Sequence, residues 1–427
     1  GKPLLENDPH LAPTAPGIWY LSHLSTPTMR VSGVTFPGVP GIVLGHNEFI
    51  AWGATNVGPD VQDLYEEKYS EIDPGGVGCY ATPTGCEKSE IRKEIILVRK
   101  SPLKPETLAV ELKVEVTRNG PIIVEDGGKK YALRWTALDP KNNEFESFFA
   151  ANRAKNWDDF KAALRKYGGA TQNFVYADVK GNIGWYAAGR IPIRRSGDGG
   201  LPYDGATNDG DWTGYIPFDE LPNLYNPPDG LIVTANQRIV GTSYKYTQMS
   251  RDAGSPWRAR RLHDVLDAKK KITMDDVRDA QYDVFNIPLD NLSKQIVKLG
   301  AASPETLSVL KDWDGRMTPD SRGAVLANEI RNCVANKMAD ANKPAPAFLI
   351  RERIIDWAVS DQAPRWLPSG YASYTDFIKG CDAGSRTSLA DPKRLGPDPT
   401  TWTWGRIFTS RFPHPLAVAP RAGSVAR

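Results

Sequence analysis

Three observations in the sequence predict an α+β fold. Strand and turn signals crowd residues 1–250, and helical periodicity takes over from about Pro256. No regular strand–helix alternation links the two halves, so separate strand-rich and helix-rich regions are expected rather than βαβ units. The expected partition is a β-rich core over residues 1–255, a mainly helical region over 256–385, and an irregular return segment over 386–427.

Apolar, β-branched runs at residues 41–44, 94–98, 110–116, 122–124, 174–176 and 232–233 read as strands, with Gly, Pro and Asn between them. The segment Gly45-His46-Asn47-Glu48-Phe49-Ile50-Ala51-Trp52-Gly53-Ala54-Thr55-Asn56 reads as a tight turn at Asn47-Glu48 feeding a half-buried strand. Val57-Gly58-Pro59 then ends that strand and leaves backbone N–H groups without ladder partners. Residues 172–185 make a hairpin that turns at 178–182. One helix interrupts the strands. Asn156 caps it, Asp158 and Asp159 fill its first turn, Phe160, Leu164 and Tyr167 share a face, and Gly168-Gly169 stop it. Beyond Pro256, helices are expected at 257–268, from a Thr273/Asp276 capping box onward, and at 289–299, 304–313, 324–338 and 350–359. After Gly384 the pattern turns Pro-rich and irregular.

The 427 residues are enough for a large core. A net charge of +2 with 24% charged residues points to neither nucleic acid nor an anionic membrane as partner. Mean hydropathy is −0.43, and no apolar run approaches the roughly 20 residues of a membrane helix, so a soluble chain is expected. Gly1-Lys2-Pro3 has no initiator Met and reads as a processed or truncated start. Cys79 and Cys86 flank a turn-like hexapeptide suited to a small disulfide loop. Cys333 lies in a helical pattern and Cys381 in a Gly-Cys-Asp loop; four unpaired thiols fit the spacing equally well.

Four clusters carry candidate chemistry. In Asn7-Asp8-Pro9-His10, a His held in a Pro-restricted turn can orient a nucleophile, although a lone His is more often structural. Asp60 and Asp63, with the Gln62 carbonyl between them, can face one hard cation, a spacing also common on solvated loops. The 172–185 hairpin has polar Gln172-Asn173 leading into an otherwise apolar core hairpin. In Thr234-Ala235-Asn236, a strand ending in Asn can aim an amide at a developing oxyanion, although Asn also simply ends strands.

In order along the chain, these segments resemble the penicillin acylase family of N-terminal-nucleophile hydrolases. The resemblance rests on Asp8-Pro9-His10-Leu11, Gly45-His46-Asn47, Trp52-Gly53-Ala54-Thr55-Asn56 and Asp60-Val61-Gln62-Asp63. It continues through Asn119-Gly120-Pro121, Gln172-Asn173-Phe174, Gly181-Asn182-Ile183-Gly184, Gly189-Arg190-Ile191-Pro192, Ala235-Asn236, Arg258-Ala259-Arg260-Arg261, Trp404-Gly405 and His414-Pro415-Leu416. It implies a four-layer αββα sandwich with a helical insertion, in which this chain is most of a β subunit autoprocessed from one precursor. The implied activity is cleavage of the acyl side chain from a secondary amide through an acyl-enzyme. The family's nucleophile is a Ser at the start of the β subunit, which this resemblance places upstream of Gly1, so the chain alone is expected to be inactive.

By position, His10 matches the residue that orients the Ser. Asn56 matches the backbone oxyanion donor, Asn236 the side-chain oxyanion donor, and Arg258 an Arg that holds the amine and Asn network. Leu44 and Gln172 match acyl-pocket positions. Asp60, Gln62 and Asp63 match ligands of a structural calcium, with Asp252 near a further ligand but out of register. The resemblance further implies an α subunit as partner, a small acyl-amide substrate and a periplasmic or secreted location. The rival substrate class is the acyl-homoserine lactones. A rival of another kind is a calcium-stabilised glycan-binding protein, for which twelve Trp and sixteen Tyr would serve as stacking platforms.

Overall fold

The computed structural model describes residues 2–72, 78–101, 104–250 and 253–414. Gly1, Asp252, Pro415 and Leu416, which the sequence reading singled out, lie outside the described residues. The chain divides into two compact units. The first holds residues 1–9 and 19–254, the second residues 10–18 and 255–427.

In chain order, the strands of the first unit's two large sheets are β1 (Tyr20–Thr26), β2 (Met29–Thr35), β3 (Leu44–Asn47), β4 (Ile50–Asn56), β5 (Gln62–Glu67), β6 (Glu90–Arg99) and β7 (Thr107–Thr117). They continue with β8 (Gly120–Asp126), β9 (Lys129–Trp135), β10 (Gln172–Asp178), β11 (Ile183–Ala188), β12 (Tyr203–Asp204) and β13 (Asn223–Tyr225). One sheet has seven strands in the order β1-β2-β3-β4-β10-β11-β13, the other six in the order β12-β5-β9-β8-β7-β6. Helices α1 (Glu144–Ala151) and α2 (Trp157–Leu164) follow β9. As expected, Asn156 caps α2 by accepting the Asp159 N–H. Trp157, Phe160 and Leu164 share a core with Trp52, Phe174, Tyr176 and Trp185 of the seven-stranded sheet. Trp157 meets Tyr176 edge-on with ring centroids 5.1 Å apart. The β10–β11 hairpin turns at Asp178, whose carboxylate accepts the Lys180 and Asn182 N–H groups.

The sheets differ from expectation in one respect that matters for the site. Residues 232–233 form no strand. The backbone groups of this stretch are satisfied by side chains instead of a ladder. Gln237 accepts the Ala235 N–H and donates to the Val233 carbonyl.

The second unit is helical: α3 (Trp257–Leu266), α4 (Met274–Gln281), α5 (Ile287–Leu299), α6 (Pro304–Asp312), α7 (Arg322–Ala341), α8 (Ala347–Arg353), α9 (Ile355–Ser360) and α10 (Tyr374–Leu389). The Thr273/Asp276 capping box opens α4 as expected. The single helix expected at 350–359 is broken at Ile354 into α8 and α9. α10 is the larger departure, because residues around Cys381 read as a loop and the expected boundary at 385 falls inside it. Gly380 and Gly384 weaken the local helix signal. Packing decides instead, through Phe377, Ile378, Cys381 and Leu389, all buried with Ile330, Val334 and Met338 of α7. Two disulfides are present, Cys79–Cys86 and Cys333–Cys381; the second joins α7 to α10. No helix among the described residues is long and apolar enough to cross a membrane.

Candidate active site

The site is built on one edge of β4. Val57 N–H donates to the Thr171 carbonyl at 3.1 Å, with Thr55 opposite Asn173 and Asn56 opposite Gln172. Antiparallel pairs alternate between bonded and non-bonded. Odd-numbered residues of β4 therefore direct their N–H and C=O groups toward β10, and even-numbered residues direct theirs to the opposite edge. Along that opposite edge, Trp52 pairs with Gly45 of β3, where the β3 ladder stops. At Ala54 the side chain of Asn7 stands in for a strand. Its Oδ1 accepts the Ala54 N–H at 3.1 Å and its Nδ2 donates to the Ala54 carbonyl at 2.9 Å. At Asn56 the carbonyl accepts Asn236 Nδ2 at 2.9 Å. The Asn56 N–H, which shares the direction of that carbonyl, thus lies on the open edge beside the Asn236 carboxamide.

Asn236 is held in an uncommon backbone conformation. Its φ is +65°, a left-handed region that Asn tolerates better than most residues. Its carbonyl accepts the Gly254 N–H at 2.7 Å, and a Cβ at Gly254 would lie 2.8 Å from that oxygen. Two positions earlier, Thr234 Oγ1 accepts from Thr55 Oγ1 at 2.9 Å, which fixes the loop to β4. Thr55 in turn accepts from Asn173 Nδ2 at 3.2 Å, and Asn173 Oδ1 accepts Trp185 Nε1 at 2.9 Å. Asn173 is fully buried, so this relay runs through the core to the strand end. Strain held by surrounding contacts clusters at functional sites.

Gln172 belongs to the same place, since its Nε2 donates to Asn56 Oδ1 at 3.0 Å. Leu44 is buried in the apolar cluster of the same sheet. His10 and Arg258 are exposed residues of the second unit, each with an interaction of its own.

The segment expected to hold calcium has a different organisation. Arg194 Nε donates to both Asp63 carboxylate oxygens, at 3.0 and 2.8 Å. Trp212 Nε1 donates to Oδ2 at 2.5 Å, and Arg194 Nη2 donates to the Asp60 carbonyl at 3.0 Å. Asp60 Oδ1 accepts the Gln62 N–H at 2.9 Å. The side chains of Arg194 and Asp63 are 2% and 0% exposed. Burial pushes the Asp63 carboxyl up, the Arg194 and Trp212 donors pull it back, and the balance remains upward. Among the described residues no three His, Cys, Asp and Glu side chains converge on one point. The described residues therefore do not fit calcium: a guanidinium already neutralises Asp63. A divalent ion there would need oxygens from beyond the described residues.

Sequence reading quotes Asn7, Thr55, Asn173 and Thr234 within its candidate segments without giving them a role, and it misses Arg194 altogether. One signal was available for Asn7. A Gly inside a strand marks a close approach, and a Cβ at Gly53 would lie 2.7 Å from the Asn7 Cβ.

A family model described as penicillin amidase matches residues 1–426. The chain is 28% identical to a penicillin acylase 2 proenzyme of Pseudomonas sp. (strain SE83), over 98% of the chain and 54% of that protein. It is 26% identical to the acyl-homoserine lactone acylase QuiP of Pseudomonas aeruginosa, over 96% of the chain and 52% of that protein. Among solved structures, a thermostable penicillin G acylase from Alcaligenes faecalis superposes with a TM-score of 0.75 at 20% identity, covering 92% of this chain and 76% of that one. That likeness shows the fold, which is of the α+β class. The chain spans about half the length of the curated relatives it matches. The match along nearly the whole sequence places the chain in the penicillin amidase family.

Proposed function

We propose that this chain carries the oxyanion-binding part of an acylase that hydrolyses secondary amides. The observation that supports this most strongly is the pairing of the Asn56 backbone with the Asn236 carboxamide on the open edge of β4. A peptide N–H and a carboxamide N–H aimed at one point stabilise the oxyanion of a tetrahedral intermediate. The nucleophile is a Ser hydroxyl supplied by the full precursor, and the α-amino group of that Ser takes up its proton, since an α-amine titrates near pH 8 and is partly neutral at working pH. Attack forms the Ser Oγ–C bond and drives the carbonyl electrons onto oxygen. Their return breaks the C–N bond as the amine leaves with the proton. Water then cleaves the ester and releases the carboxylic acid.

His10 and Arg258 receive their roles, orienting the Ser and holding the amine network, from the family resemblance. The α subunit of the same precursor is the proposed partner. Location outside the cytoplasm is supported by the two disulfides, which persist in oxidising compartments. Gln172 places a polar amide beside Asn56, which favours no strictly aromatic acyl group and keeps acyl-homoserine lactones as the second substrate class.

The test is expression of the full-length gene, followed by a gel for chain splitting. Amine release is then measured from phenylacetyl amides, straight-chain acyl amides and acyl-homoserine lactones. Two chains and hydrolysis of at least one class are expected. A folded, unsplit protein that releases no amine from any of them overturns the reading and leaves a binding role.

A further inference from the structure

Asn7 has no assigned part in the proposed chemistry, yet it occupies the position from which the backbone oxyanion donor is set. β3 stops pairing with β4 at Trp52, whereas Asn56 is four residues further on. Beyond Trp52 this edge of the strand has no ladder partner, so the peptide groups that point to it are held from the β10 side alone. The Asn7 carboxamide presents one acceptor and one donor to Ala54 in the arrangement a neighbouring strand would supply. Ala54 lies two residues before Asn56 on the same edge, so fixing its peptide groups fixes the pleat that aims the Asn56 N–H. The opposite edge is fixed separately by the β10 ladder and by the Val57–Thr171 bond. Gly53 is the complement to this device. With Asn7 Cβ and Cγ at 2.7 and 2.8 Å from where a Gly53 Cβ would sit, any other residue there displaces the Asn7 side chain.

We infer that Asn7 is a positioning residue for the oxyanion hole: its carboxamide replaces the missing strand beside β4 and holds the Asn56 N–H in its working direction. In this role Asn7 acts through its two bonds to the Ala54 backbone. The inference rests on the amidase reading for its kinetic consequence and on geometry alone for its structural one.

The experiment compares the matured full-length enzyme with its Asn7→Ala and Gly53→Ala variants, on whichever amide the wild type hydrolyses best. Amide hydrogen exchange of residues 53–57 is followed in the same samples. Both variants should lose at least tenfold in kcat with KM changed less than threefold, since the donor acts on the transition state rather than on ground-state binding. Both should also exchange faster at Ala54 and Asn56, with residues of β11 unchanged. Asn7→Asp keeps the acceptor for the Ala54 N–H and should recover part of kcat. A variant with kcat within twofold of wild type and unchanged exchange overturns the inference. If the wild type hydrolyses no amide, the function reading fails by itself. The exchange comparison then still decides whether Asn7 fixes this strand end. A variant that fails to split leaves exchange in its precursor as the deciding measurement.

Discussion

Arg194 and Asp63 show how a single pair redefines a local chemistry. Two aspartates three apart read as metal ligands because nothing in the local spacing reveals a cation arriving from residue 194. With both side chains buried, removing one partner leaves an uncompensated charge, which costs about 3–5 kcal/mol. Arg194→Met should therefore lower unfolding stability by roughly that amount in urea titration, and Asp63→Asn in the same background should restore a large part of it. A single-variant loss below about 1 kcal/mol would put the pair on the level of a surface ion pair. The same limit of local reading applies to the proposed oxyanion site. Asn56 and Asn236 were legible as candidates because each ends a stretch of apolar residues, but the phase of the β4 ladder that aims one at the other depends on partners more than a hundred residues away. Asn7 was quoted in the sequence reading for its neighbour His10, and its own bond to Ala54 was not visible without Gly53.

At the scale of elements, short-range chemistry was the legible part. The Asn156 cap, the Thr273/Asp276 box and the Asp178 turn all depend on residues within four positions of each other. What local signals missed was decided by packing, as in α10, or by side chains standing in for a ladder, as at 232–237. The Asp178 turn carries a pH dependence. Burial pushes its carboxyl up, but donors from Asn182, Tyr176 and Lys180 outweigh this and leave it below the ordinary carboxylate value. A carboxyl lowered by folding contributes stability above its unfolded value, near 3.9, and loses it as pH falls through the folded value. Thermal unfolding between pH 5 and pH 3 should thus fall more steeply for the wild type than for Asp178→Asn. Parallel slopes would show that the turn carboxylate is not linked to folding. The consequence reaches the site, because this hairpin carries Gln172 and Asn173 at the start of β10.

On the scale of the whole molecule, the expected order of strands and then helices is the order found, and the likeness to a penicillin G acylase structure gives the fold class its name. The assignment of residues 10–18 to the helical unit was not legible, because Pro-rich connecting segments carry no pattern for what they pack against. Membership of the penicillin amidase family covers the chain from end to end, while the relatives are about twice as long. Activity is therefore a property to be tested in the full-length protein. The Asn236 carboxamide is the proposed donor that a substitution can remove without backbone strain, because Gly adopts a φ of +65° freely. In the matured full-length enzyme, Asn236→Gly should reduce kcat for amide hydrolysis by about 10²–10³-fold with little change in KM. A kcat within about twofold of the wild type would contradict the placement of the oxyanion hole on the open edge of β4.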